Sequence, residues 1–260
     1  MPIINFMFSV GYRCYSIDFL NIFKLRKMSG PFDYLYIDLE TSFKIINNKF
    51  NDYLNDIILF NKNNQKIELF YKKNTNEIDN NFYKLLENNI GYMSHNYNHV
   101  NLLFNQNYLD TSNLNENLYI WNSICSFHHH NILDNNIYNS IKQRCERFNN
   151  ILDKYNETTA LFYITKIVNC INIVDYMNKI IELKQKYSIK CFVIIIINCD
   201  NIEDDNYFNE NDKCLFIIKK VENYENQLSK NQVDNNLDYK NEFDIILKYF
   251  TLNLIEKTNI

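Results

Sequence analysis

The chain has 260 residues, 46% hydrophobic and 15% aromatic, with 27 Lys and Arg against 31 Asp and Glu. That much apolar surface offsets chain entropy and excludes disorder as the default state; three Gly and two Pro exclude a collagen-like repeat and a Gly-rich phosphate loop. A net charge of −4 leaves no electrostatic footprint for nucleic acid, and no nucleic-acid partner is expected.

The first run, Ile3–Ser9, is apolar and reads as a buried strand. Gly11 supplies a turn, and a helical pattern starts at Cys14 and runs through Tyr15, Phe19, Ile22 and Phe23. Ser29, Gly30 and Pro31 break the chain. Apolar residues at Phe43, Ile46, Phe50, Tyr53 and Ile57 predict a helix over 42–57. Residues 61–81 are polar and read as a loop, with a short strand at Ile67–Tyr71. Leu118–Phe127 is strand-capable and leads straight into His128, His129 and His130. Tyr138, Ile141, Cys145, Phe148 and Leu152 form one stripe and predict a helix over 136–154.

Ala160–Ile164 reads as a second buried strand, 172–187 as a helix and Lys190–Ile197 as the strongest strand in the chain. An acidic loop over 200–212, a strand over 213–219, a polar loop over 222–241 and a C-terminal helix carrying Phe243, Ile246, Leu247, Phe250 and Leu254 follow. Continuous apolar strands indicate burial on both faces. The expected fold is therefore a single α/β domain over 1–260, with a three-layer, mainly parallel sheet and helices on both faces. Its polar loops fall near 61–81, 200–212 and 222–241.

Seven Cys, widely spaced and without a CxxC pair, do not form a disulfide framework or a zinc ribbon. The N-terminus lacks a basic segment and a cleavage-site pattern, so no signal peptide is expected. The longest apolar run, Cys191–Ile197, is too short to span a bilayer. The expectation is a cytoplasmic protein with reduced thiols, no membrane partner and no cofactor. The 47 Asn residues fall between the apolar runs without a period, as an AT-rich coding bias would leave them.

In a parallel sheet, sites gather at the carboxyl ends of the strands. Here the predicted strand ends carry Ser9 and then Cys14, the three histidines, Thr165, and Asn198 with Asp200. A thiol at the first turn of a helix meets the positive end of the dipole and unpaired N–H groups, both of which favour thiolate. The bland alternative is a small buried hydrophobe. Three consecutive histidines point in different directions and cannot all serve one metal, so one imidazole as a general base is the functional reading and a surface polar cluster the other. His95 and His99 have helical metal-ligand spacing but no third ligand, and no metal is expected. Asp33, Asp134, Asn198 and Asp200 are candidates to orient an imidazole, the last two best placed. Arg144 and Arg147 flank Cys145 and read as an ion-paired helix face or as an anion clamp.

Two blocks carry a resemblance. Phe8-Ser9-Val10-Gly11-Tyr12-Arg13-Cys14 is followed by Leu25-Arg26-Lys27-Met28-Ser29-Gly30-Pro31-Phe32-Asp33-Tyr34. Together they resemble an uncharacterised family of papain-like cysteine peptidases found in bacteria and large DNA viruses. Phe127-His128-His129-His130-Asn131, Arg144-Cys145-Glu146-Arg147-Phe148 and Leu161-Phe162-Tyr163 resemble its later motifs. The resemblance spans roughly residues 4–166. It implies Cys14 as nucleophile and His129 as base, with His130 as the alternate, and an α+β papain-like fold as the alternative architecture.

The leading functional expectation is a cysteine peptidase or related thiol acyl hydrolase or transferase. Asn198 or Asp200 would orient the imidazole. Gly11, Ser9, Asp33 and Arg147 would stand on the substrate and oxyanion side. The partner would be a peptide or acyl substrate, with a host protein among the candidates if the source is viral. Two alternatives remain open at this point. One is a non-catalytic viral interaction module on an enzyme-derived fold. The other is a hydrolase or glycan-modifying enzyme that uses Ser9 or Asp33.

Overall fold

The computed structural model describes residues 1–11, 15–51, 53–54, 57–61, 68–71, 102–105, 125–126, 135–165, 172–199, 202–221 and 239–256. In chain order the strands are β1 (Ile3–Ile4), β2 (Phe6–Ser9), β3 (Tyr36–Ile37), β4 (Ile57–Asn61), β5 (Glu68–Tyr71), β6 (Leu102–Asn105), β7 (Cys125–Ser126), β8 (Thr159–Ile164), β9 (Phe192–Cys199), β10 (Asp205–Asn209), β11 (Cys214–Lys220) and β12 (Thr251–Leu252). The helices are α1 (Tyr15–Ile22), α2 (Leu39–Asn47), α3 (Asn135–Tyr155), α4 (Ile173–Lys186) and α5 (Lys240–Tyr249).

The main sheet has the order β10-β11-β9-β8-β2. Its last four strands run parallel, and β10 folds back antiparallel on the far edge. Alternation along each strand sends side chains to two separate cores. Phe6, Phe8, Leu161, Tyr163, Val193, Ile195 and Phe216 pack under α2, α3 and α4. Met7, Phe162, Ile164, Ile194, Ile196 and Ile217 pack under α1 and α5. This is the three-layer α/β arrangement expected from the continuous apolar runs. A second, antiparallel sheet of order β3-β7-β6-β4-β5 is inserted between β2 and β8.

The four parallel strands cross the sheet in chain order, β2 to β8 to β9 to β11. The order never reverses, so the sheet has no switch-point crevice of the doubly wound kind. It does have one carboxyl edge, at which β2, β8, β9 and β11 all end.

Several elements depart from the sequence expectation. The strand read over Ile3–Ser9 is two strands: β1 leaves the main sheet and pairs with β12, while β2 pairs with β8. The helix read over 42–57 ends at Asn47, because Lys49 and Phe50 take positive φ values of 50° and 63°. Phe50 and Tyr53 are still buried, but by a turn that stacks them against Phe32 and Phe148. The acidic loop read over 200–212 contains β10, a half-exposed edge strand. The C-terminal helix stops at Tyr249, and Leu254 lies beyond β12. Residues 222–238, most of the polar loop expected over 222–241, lie outside the described residues. No helix among the described residues is long and apolar enough to cross a membrane.

Lys184 on α4 is only 6% exposed and faces Cys191 and Cys214 beneath the sheet. Burial holds its pKa below the ordinary lysine value. A depressed lysine pKa means the folded state binds fewer protons than the unfolded state, so the native chain gains stability as pH rises toward 10.5. Lys184→Met, close in volume and uncharged, is therefore expected to stabilise the protein at pH 7 by about 1 kcal/mol. The advantage should shrink above about pH 10. Urea melts of both proteins at the two pH values check this.

Candidate active site

The chain leaves the sheet after β2 through a tightly fixed turn. Val10 N–H donates to the Phe162 carbonyl, extending the β2–β8 pairing by one bond. Ser42 Oγ donates to the Val10 carbonyl, with the Asp38 carbonyl 2.9 Å away as its other acceptor. Gly11 has φ of 123°, a region L side chains rarely adopt. A Cβ placed there would lie 2.3 Å from Ile37 Cγ2 and 2.7 Å from the Ile37 carbonyl oxygen. No other residue fits this position without moving β3.

Ser16, in the first turn of α1, completes the turn. Its hydroxyl donates to the Gly11 carbonyl at 2.6 Å and accepts from Ile164 N–H at 2.9 Å. The last amide of β8 and the start of α1 are thus joined through one buried side chain. Cys14 is the residue before Tyr15, where α1 begins; Cys14 itself lies outside the described residues. So do His95, His99, His128, His129, His130, Asp134 and Asp200.

The end of β9 is fixed to the end of β8. Asn198 N–H donates to Thr165 Oγ1 at 3.0 Å, and Asn198 Nδ2 donates to the Thr165 carbonyl at 2.8 Å. Ser9 pairs with Phe162, which pairs with Ile194. The strand register therefore separates Asn198 from Ser9 by two strand spacings, about 10 Å, and by a further four residues, about 13 Å, along the strands. Ser9 and Asn198 do not meet. Ser9 is 1% exposed, and its Oγ has no partner among the described residues.

Asp33 is also 1% exposed. Its Oδ2 accepts from Arg26 Nε at 3.1 Å, Arg26 Nη2 at 2.8 Å and Gly30 N–H at 2.9 Å. Burial raises its pKa, and Arg26 opposes that shift. Arg26 also donates to Ser29 Oγ, and Arg147 Nη2 donates to the Ser29 carbonyl. Tyr53 donates to the Pro31 carbonyl. The Arg-Lys-Met-Ser-Gly-Pro-Phe-Asp block is therefore a folded clamp against Phe8 and α3. Asp33, read from the sequence as a substrate-side residue, has its Oδ2 engaged by Arg26 and Gly30 within this clamp. Arg147 joins the clamp through Nη2, while its Nε is buried with no hydrogen-bond partner among the described residues.

Sequence reasoning missed a further group on the α1 and α5 side. Lys219, near the end of β11, pairs with Glu242 at 2.7 Å and sits 4.5 Å from the Tyr239 ring centroid. Tyr239 packs against Phe19 and is pushed above the ordinary phenol range, first by burial, then by Glu242 and Tyr15. A Lys closing an apolar strand was the available signal.

The four described thiols, Cys145, Cys191, Cys199 and Cys214, are all buried. Burial pushes Cys145, Cys191 and Cys214 each up to about 12. None of these three supplies thiolate at neutral pH. Among the described residues no cluster of His, Cys, Asp and Glu could hold a metal ion.

A strand, a glycine-dependent turn and a helix start leading out of a parallel sheet define an α/β protein with its candidate site at the carboxyl edge. Residues 5–202 match the DUF1796 family, described as putative papain-like cysteine peptidase, and the chain belongs to that family. No curated protein and no solved structure matches it.

The turn makes a direct prediction. Gly11→Ala should destabilise the fold by about 2–4 kcal/mol, from positive-φ strain and the Ile37 clash together. Ser16→Ala should cost about 1–3 kcal/mol by orphaning the Ile164 amide. Denaturant midpoints of the two variants check both values.

Proposed function

We propose that the chain is a thiol acyl hydrolase or transferase, with Cys14 as nucleophile and His129 as general base. The observation that carries this reading is the Gly11 turn, which ties the end of β2 to the first turn of α1 through Ser16 and leaves three residues, ending in Cys14, to bridge the gap. A thiol just before a helix meets the positive end of the helix dipole, which favours thiolate. The family membership supports the same chemistry.

In the reaction, imidazole takes the Cys14 proton and the thiolate sulfur bonds to the substrate carbonyl carbon. The C=O π pair moves to oxygen, where backbone N–H groups of the Gly11 turn receive the charge. Collapse re-forms the carbonyl and breaks the bond to the leaving group, which takes the proton from the imidazolium. Water, or an acceptor amine, then cleaves the thioester by the same steps. His130 is the alternate base. Asn198 or Asp200 orients the ring. For Asn198, commitment of Nδ2 to the Thr165 carbonyl fixes the side chain and turns the carboxamide oxygen into the acceptor that an imidazole N–H needs. Ser9 and Asp33 support no rival nucleophile, since both are buried and Asp33 is held by Arg26. The substrate is a peptide, isopeptide or other acyl compound, and a reduced thiol suits the cytoplasm.

Iodoacetamide labelling at pH 7, mapped by mass spectrometry, tests the pair. Cys14 should react first, and His129→Ala should slow it by about tenfold or more. First labelling at Cys145 or Cys199, or a Cys14 rate indifferent to both His129→Ala and His130→Ala, would leave a non-catalytic module as the better account.

A further inference from the structure

The clamp behind β2 has more positive charge than it uses. Arg26, Arg144 and Arg147 act on one carboxylate, Asp33. Arg26 is satisfied by Asp33 and Ser29. Arg147 has one described hydrogen bond, to the Ser29 carbonyl, while its Nε is buried with no partner. Arg144 has no hydrogen-bond or ion-pair partner among the described residues and stands in the electrostatic field of both Asp33 and Arg147. Residues 144 and 147 are three apart on α3, so their side chains are neighbours on one helix face.

Two guanidiniums on one face repel each other, and a desolvated guanidinium N–H left unpaired is costly. Burial lowers the Arg147 pKa, Arg144 adds to that effect, and Asp33 opposes it. The ordinary remedy, a second carboxylate, is not there among the described residues. Glu146 lies between the two arginines in sequence but is exposed. Paired guanidinium groups recognise anions with several acceptor oxygens well.

We propose that Arg144 and Arg147 form a receiving site for an oxyanion, the carboxylate or phosphate group of a ligand, with Arg26 and Asp33 holding the wall behind it. Arg144 supplies a guanidinium that makes no hydrogen bond among the described residues, and Arg147 supplies the Nε that Ser29 does not use. Asp33 limits the net charge of the group, so the site suits a small anion rather than a polyanion. This assignment stands without the thiol chemistry, because anion titration reads it directly whereas labelling of Cys14 does not.

The test follows the arginine Nε–H resonances of the full chain by NMR during titration with inorganic phosphate and, separately, with glutarate, at constant ionic strength. The expected result is a saturable shift of the Arg147 resonance with at least one of the two. Arg144→Gln should weaken that affinity by about tenfold or more, the loss of one charged hydrogen-bond partner. Glu146→Gln, on the same helix and exposed, should bind as the native chain does or more tightly. Saturation with phosphate alone identifies a phosphoryl ligand, and saturation with glutarate alone an acidic one. No saturable shift with either anion, or equal affinity in Arg144→Gln, overturns the assignment. Among the described residues Arg144 makes no hydrogen bond, so the variant leaves the Ser29 contact of Arg147 in place.

Discussion

Everything at the carboxyl edge of the sheet depends on how the chain leaves β2. Gly11 sits against Ile37 so closely that a single methyl group would overlap both its side chain and its carbonyl. Ser42 holds the carbonyl before it, and Ser16 holds its own carbonyl while capping the last amide of β8. Two serine hydroxyls and one missing Cβ thus set the direction of α1. They do so inside the core, where a hydrogen bond left unmade costs more than the bond itself contributes.

The same strand is fixed from its other side. Phe8 packs edge-on against Phe148 and lies beneath Gly30, whose amide is held by Asp33. A block of sequence that reads as a chain break is therefore a second support for β2. Aromatic contacts among Phe32, Phe50, Tyr53 and Phe148 then lock it to α3. The end of β2 and Gly11 are thus held from both faces of the sheet.

The parallel strands were legible because they are apolar on both faces. Phe192 to Ile197 leaves no other reading once flanked by polar turns. The helices α3 and α4 were legible by period. What failed was non-local or polar. β10 is Asp-Asn-Tyr-Phe-Asn, and only its pairing with β11 makes it a strand. The split between β1 and β2 requires β12, nearly the whole chain away. Phe50 and Tyr53 keep helical spacing while a left-handed turn buries them. The Gly11 turn and the ends of the parallel strands could be read from position, whereas the strand that leads toward the histidines, expected beside them, lies in the antiparallel sheet. The use of Asp33 could not, since nothing in the pattern links a carboxylate to an arginine seven residues earlier. Nothing in the sequence pattern singles out Ser16, and its role appears only where β8 ends beside it.

The central claim is that the residue following this turn is a thiolate at neutral pH. Difference ultraviolet titration of the native chain against Cys14→Ser reads the thiolate of that one residue. The account predicts a midpoint well below the ordinary cysteine value of about 8.5. A midpoint at or above that value would contradict it, since a thiol one residue before α1 would then gain nothing from the helix dipole.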